Sequence, residues 1–171
     1  LVANGQGVYT TYTTGTNGYD SVSGTSFSTP SVVGSMALLQ ELHERSFGTE
    51  QPMLASTMKA LVLHTADDVG ETGPDYKCGW GLMNTENAAW VITNNAAWTS
   101  LPHIKEVALN DGDYIEFDVL AATNEALKVT TCWTDPEGTI PAYEVDPTNL
   151  MLINDLDIRV IAPDGSTNFP W

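Results

Sequence analysis

Residues 24–42 read Gly24-Thr25-Ser26-Phe27-Ser28-Thr29-Pro30, then Ser31-Val32-Val33-Gly34-Ser35-Met36-Ala37-Leu38-Leu39-Gln40-Glu41-Leu42. A glycine loop here meets an apolar helical run. Val32, Val33, Met36, Ala37, Leu38, Leu39 and Leu42 leave almost no polar face before Gln40, so the helix is expected to be buried on all sides. Pro30 suits a first turn, where a missing N–H breaks no helical bond. A serine hydroxyl at such a junction is exposed, and the N–H groups of the helix start can stabilise the negative oxygen that forms when a carbonyl is attacked. Gly24 allows a substrate backbone to come close. Serine is also a favoured helix N-cap, so position alone leaves two readings of Ser26 open.

Upstream, Val8 to Tyr12 reads as a short strand and Thr16-Asn17-Gly18 as a turn. Downstream, Leu54, Met58, Leu61, Val62 and Thr65 recur at spacings of three and four after Pro52, which predicts a second helix ending before Gly70. A third helix is expected from Asn84 or Thr85, either of which could cap it, through Ala88, Ala89, Val91 and Ile92. The loop Gly79-Trp80-Gly81 between them calls for positive φ or close backbone approach, with Trp80 as a core anchor.

Near Asn94 to Pro102 helical periodicity gives way to alternation, which places a domain boundary there: residues 1–97 and residues 98–171. His103 to Leu109, Tyr114 to Leu120, Ala126 to Trp133 and Leu156 to Ala162 read as strands. They are separated by the turns Asn110-Asp111-Gly112, Asp135-Pro136-Glu137-Gly138 and Pro163-Asp164-Gly165. This is the start of an antiparallel β-sandwich, expected to be unfinished at Trp171 because four strands leave unpaired edges. The opening at Leu1, without an initiator Met or signal peptide, is expected to lie inside a longer precursor.

The chain has 171 residues, with six Lys plus Arg against 22 Asp plus Glu and a formal charge of -16. Such a balance repels phosphate backbones and anionic lipid, which argues against nucleic-acid and membrane partners. It suits a secreted protein or one that gathers calcium on carboxylates. Cys78 and Cys132 form no CxxC or CxxH spacing, and a single disulfide and two buried thiols both remain open.

The segment Gly24 to Pro30 closely resembles the serine box of the subtilisin family: Gly-Thr-Ser, any residue, Ser or Ala, any residue, Pro, then a small and apolar helix. At background frequencies such a match is expected in about one chain in a few thousand, which decides against a simple N-cap. Val2-Ala3-Asn4-Gly5, Lys59-Ala60-Leu61 leading into Thr65-Ala66-Asp67-Asp68-Val69-Gly70, and Gly79-Trp80-Gly81-Leu82 with Asn84 look like successive landmarks of the same family. The tail, with Cys132-Trp133-Thr134-Asp135-Pro136 and Asn154-Asp155-Leu156-Asp157, is similar to the β-barrel or jelly-roll extension of a secreted bacterial branch. The resemblance implies an α/β subtilisin-like segment over residues 1–97, followed by the start of an antiparallel β-sandwich or jelly roll. It implies a secreted serine endopeptidase that hydrolyses peptide bonds of protein or peptide substrates.

In that family Ser26 is the nucleophile that forms the acyl-enzyme, its backbone N–H is one oxyanion donor, and Thr25 is a supporting neighbour. The family order is Asp, then His, then Ser, so the other triad members and the side-chain oxyanion donor are expected on a segment upstream of Leu1. Asn4 and Asn17 do not take the latter role. Without its base the chain alone is expected to be inactive, unless the N-terminal part of the same protease stays associated with it. His43, His64 and His103 all follow the serine, which argues against each as the base. An α/β-hydrolase would place its His after the Ser, but its Gly-x-Ser-x-Gly elbow is broken by Ser28. A non-catalytic accessory fragment or a pseudoenzyme is the alternative from another class. Phe27 stands where family members often carry an oxidisable Met, so tolerance of peroxide is expected. Asp155 and Asp157, two apart on an expected strand, project to one face and are candidates for a structural calcium, with Asn154, Asp135 and Glu137 as weaker ones. The chemistry itself needs no cofactor.

Overall fold

The computed structural model describes residues 1–13, 15–100 and 102–170; Trp171, expected to follow a turn, lies outside the described residues. A hairpin comes first, β1 (Val8–Thr11) pairing antiparallel with β2 (Tyr19–Val22) from Val8 opposite Val22 to Thr11 opposite Tyr19. The expected turn closes it, with the Gly18 N–H donating to the Gly15 carbonyl at 3.1 Å. Tyr9 and Tyr19 lie on a diagonal of the ladder and stack at 5.7 Å, a distance aromatic rings span across a twisted pair.

Three helices follow: α1 (Thr25–Phe47), α2 (Ala55–His64) and α3 (Thr85–Ala97). Because α1 begins at Thr25, Pro30 falls in its second turn and not its first. There it withholds the N–H that the Ser26 carbonyl would otherwise accept. The many hydroxyls of α1 are absorbed locally: Thr29, Ser31 and Ser35 each donate to the carbonyl four residues back, at 2.9, 3.2 and 2.9 Å. Gly48, at φ +104°, ends the helix and donates to the Glu44 carbonyl at 2.8 Å.

The core lies where the three helices meet. Leu39 of α1, Met53, Met58, Leu61 and Val62 of the α2 region, and Ala88 and Ile92 of α3 are buried together. Val91 and Ile104 pack against them. The expectation that α1 is buried all round is corrected: Leu39 is its buried residue, while Val33 and Leu38 are 58% and 64% exposed. The other helices cover one face of α1, and burial of an apolar side chain depends on a partner surface as much as on its own chemistry. Trp80, expected as a core anchor, is likewise 42% exposed.

Leu82 is the junction of the loops. Val2 donates to the Gly81 carbonyl at 2.9 Å and accepts from Met83 at 3.0 Å, while Asp67 and Leu82 exchange both backbone bonds at 2.9 and 2.8 Å. Gly81 sits at φ +108°, and a Cβ on it would stand 2.2 Å from the Asp67 oxygen, so both demands expected of this glycine are present. Asn84 caps α3, its Oδ1 accepting from the Asn87 N–H at 2.9 Å, and its amide donates to the Asp67 carboxylate at 3.0 and 3.1 Å.

Beyond α3 no helix follows among the described residues. The expected sandwich is not assembled there: residues 103–109, 114–120 and 126–133 join no ladder, and of the expected strand at Leu156 to Ala162 only β3 (Val160–Ile161) pairs, with β4 (Thr167–Asn168). A strand exists only with a partner to accept its N–H groups, and the alternation of these segments supplies side-chain pattern without neighbours. Their apolar side chains stay outside, Tyr114 and Leu120 at 80% exposure each. Two turns form as expected, with Gly112 at φ +79° and Gly165 at φ +85°. The one expected at Asp135 to Gly138 does not, because Asp135 turns to another segment.

Candidate active site

Ser26 is the second residue of α1 and is exposed. The junction beneath it is tied to the first five residues. The Gly24 N–H donates to the Gly5 carbonyl at 2.8 Å, and the Phe27 N–H closes the first turn on the Gly24 carbonyl at 3.0 Å. Gly5 has no space for a side chain, since a Cβ would lie 2.7 Å from the Gly24 oxygen and 3.1 Å from Ser28 Cβ. Through Val2 and Leu82 these residues reach the end of α2, so a continuous run of backbone bonds connects Asp67 to the loop before Ser26.

The surrounding hydroxyls are occupied and that of Ser26 is free. Ser28 and Thr29 both donate to the Thr25 carbonyl, at 3.0 and 2.9 Å. Among the described residues, neither the hydroxyl nor the N–H of Ser26 has a hydrogen-bond partner. The first turn of α1 carries no acidic residue, so the positive end of the helix dipole is uncompensated there. Thr25 is exposed and serves the junction through its carbonyl. A hydroxyl oriented outward beside unpartnered N–H donors can attack a carbonyl and hold the resulting oxyanion, once a base removes its proton.

No histidine of the chain supplies that base to Ser26. The His43 ring lies tilted against Phe47 with centroids 4.5 Å apart, and its Nδ1 is buried without a partner. His64 closes α2 and shares a 2.9 Å hydrogen bond between Nδ1 and the Thr130 hydroxyl. Burial, then the Lys128 ammonium, then His103 hold its pKa below the ordinary histidine value. His103 lies between Trp90 and Trp98, at 5.9 and 6.3 Å.

Asp155 and Asp157 are both exposed while Leu156 and Ile158 between and after them are half-buried, the alternation read from the sequence, although no ladder includes them. Asp157 lies 3.8 Å from the Arg159 guanidinium. Among the described residues no three His, Cys, Asp or Glu side chains converge, and two carboxylates fall short of the six to eight oxygens a calcium takes. Asp135 instead accepts from the Ile153 N–H at 2.7 Å and from both nitrogens of Asn154 at 2.9 and 2.8 Å. The Ile153 N–H leads in lowering its pKa. The Trp133 indole donates to the Asn154 carbonyl at 3.1 Å, so Trp133, Asp135 and Asn154, singled out separately in sequence, are brought together. Cys78 and Cys132 are both half-buried free thiols.

An exposed serine at a braced loop–helix junction, flanked by free N–H donors, is the nucleophile arrangement of serine hydrolases. The family model of the subtilase family matches residues 1–81, so that segment is similar to the subtilases. It is similar to serotype-specific antigen 1 of Mannheimia haemolytica, 38% identical over 65 residues, covering 38% of this chain and 6% of that protein. It is also similar to the autotransporter lipoprotein NalP of Neisseria meningitidis serogroup B, 37% identical over 68 residues, 39% of this chain and 6% of that one. The match therefore spans a small part of these relatives' length.

Sequence reasoning singled out Ser26 but assigned no role to Gly5 and none to the Asn84–Asp67 contact. The missing signal for Gly5 is that its constraint comes from a residue nineteen positions away, and no periodicity reports such a contact.

Proposed function

We propose that the chain carries the nucleophile segment of a secreted serine endopeptidase. Ser26 attacks the scissile peptide carbonyl, its own N–H helps to hold the oxyanion, and water releases the acyl-enzyme. The observation that carries this reading is the free Ser26 hydroxyl and N–H at a junction braced by Gly5, inside a subtilase segment. The base is a histidine oriented by an aspartate on an upstream segment, and Val33 and Leu38 belong to the face of α1 that such a segment covers. Residues 98–171 belong to a C-terminal β-sandwich or jelly-roll domain, a reading supported by their strand-like alternation. The names of the relatives, an autotransporter lipoprotein and a serotype-specific antigen, support an exported protein. Protein or peptide is the substrate, and any calcium held with help from Asp155 and Asp157 is structural, to be tested by the thermal shift on chelation.

A serine-directed fluorophosphonate tests the assignment. In a protein that includes the upstream segment, Ser26 becomes labelled and Ser26→Ala abolishes both labelling and peptide hydrolysis. The chain of residues 1–171 alone labels at background rate. Rapid labelling of the isolated chain, or hydrolysis surviving Ser26→Ala, would overturn the reading.

A further inference from the structure

Both ends of α2 are held by one stretch of the C-terminal region, with charges of the matching sign. At the N-terminus, Leu54 stands in the cap position without a capping side chain, and its N–H donates to Glu106 Oε1 at 3.1 Å; the Thr57 hydroxyl donates to the same oxygen. At the C-terminus, the Lys128 ammonium donates to the carbonyl of His64, the last residue of the helix. An anion at the positive end and a cation at the negative end is the favourable arrangement for a helix dipole. The stretch is seated at its start as well, where Ile104 packs against the core and its N–H donates to Asn95 Oδ1 at 3.0 Å.

The two ends differ in one respect. At the Glu106 end the partners are a backbone N–H and a hydroxyl, neither of which titrates between pH 5 and 8. At the Lys128 end the helix finishes in His64, whose Nδ1 meets Thr130 at 2.9 Å. The groups facing this ring are Lys128 and Thr130 from the stretch after residue 126, and His103 from the stretch after α3. Neither of the two ion pairs among the described residues gives the ring a carboxylate. A proton on His64 therefore places a cation among Lys128 and His103 in a half-buried position.

We propose that residues 103–130 form a pH-releasable brace on α2, which stays anchored at Glu106 and lets go at the Lys128 end when His64 takes up a proton. The direction follows from linkage. With the folded-state value of His64 held below the ordinary 6.5, the opened form binds the proton first as pH falls. Closure is complete above 6.5, weakens as pH drops below it, and stops weakening once the folded value is passed. Met58, Leu61 and Val62 of α2 share a core with Leu39 of the Ser26-bearing helix, so release loosens the support of the nucleophile helix.

Hydrogen exchange of the chain, with times corrected for the intrinsic pH dependence, tests this between pH 7.5 and 5.5. Protection of the last turn of α2 and of residues 126–130 should fall by up to about tenfold per pH unit below 6.5, the slope one proton allows. The first turn of α2 should keep its protection over that range and lose it in Glu106→Gln. His64→Gln retains a hydrogen-bonding end without titrating, and its protection should not change with pH. In the unmodified chain the imidazole resonances of His64 should titrate below 6.5, together with the loss of protection. Protection that is constant in the unmodified chain, an equal loss in His64→Gln, or a His64 titration separate from the exchange change would each overturn the proposal.

Discussion

Replacing Gly5 by alanine puts a methyl carbon 2.7 Å from the Gly24 carbonyl oxygen and 3.1 Å from Ser28 Cβ. Ordinary contact begins near 3.4 Å, so the loop must yield by roughly 0.7 Å. Neither neighbour is the loose end of a side chain. The Gly24 carbonyl receives the Phe27 N–H that forms the first turn of α1, and the Gly24 N–H donates to Gly5 itself. Relief therefore moves the junction on which Ser26 stands. Overpacking of this kind costs about 1–3 kcal/mol of stability. A displacement approaching 1 Å of a reacting group costs about a hundredfold in rate. Denaturant unfolding of the chain measures the first effect, and fluorophosphonate labelling of the protein with its upstream segment measures the second. Gly34→Ala is the control: Gly34 lies inside α1 with nothing within 4 Å of a new Cβ, so alanine there should stabilise the chain by about 0.5–1 kcal/mol. Wild-type labelling and stability in Gly5→Ala would refute the claim that this contact positions Ser26.

Ile92 is fully buried between the helices, and Ile92→Ala should cost about 2–5 kcal/mol in denaturant unfolding. Asn84→Ala removes the cap of α3 and should cost about 1 kcal/mol, with exchange of the Asn87 amide rising first. Asp135 has its carboxyl held below the ordinary 3.8 by the Ile153 N–H, so its contribution is present above 3.8 and lost as pH falls through the lower folded value. Limited proteolysis near residues 133–154 should accelerate in that acid range, and Asp135→Asn should be cut faster already at neutral pH. Phe27 cannot form a sulfoxide, so labelling of Ser26 in the complete enzyme should survive peroxide, whereas Phe27→Met should make it sensitive.

What could be read from the sequence was what local chemistry decides. The three helices, the turn at Thr16 to Gly18, the Asn84 cap and the positive φ of Gly79 and Gly81 each depend on residues within a few positions of one another. Pro30 shows the limit of that scale: moving the helix start to Thr25 changes it from a tolerated first-turn residue into one that frees the Ser26 carbonyl. The exposure of Val33, Leu38 and Trp80 was not legible, because apolarity states what a side chain avoids and not what covers it. The same holds for residues 103–133, where strand-like alternation is present and ladder partners are not. Of the candidate site, Ser26 was found through its motif, whereas Gly5, Glu106 and Lys128 act across 19 to 64 positions and leave no pattern in their own neighbourhoods.

The charge imbalance also has a structural answer. With 22 acidic residues against six Lys plus Arg, cations cannot neutralise most carboxylates, and the described residues contain two ion pairs. The carboxylates use backbone donors instead. Asp68 takes the Gly73 N–H at 2.8 Å, Asp75 takes those of Lys77 and Cys78 at 2.7 and 2.6 Å, Asp135 those of Ile153 and Asn154, and Asp164 that of Ser166 at 2.9 Å. The Asp68, Asp75 and Asp135 contacts stitch irregular loops, and the Asp164 contact lies in the turn that joins β3 to β4. Hydrogen bonds to an ionised acceptor are shorter and stronger than neutral ones, and they act at contact, where salt screens little. The loops are thereby insulated from ionic strength but tied to the ionised state of the acids. Asp75 and Asp135 have pKa values lowered chiefly by such donors, and Asp164 by the Ser166 side chain and then its N–H, so these contacts are lost only as pH falls below the ordinary carboxylate range. The proposed α2 brace turns instead on a histidine, so its weakening begins below 6.5, whereas that of the Asp-held loops begins below 3.8.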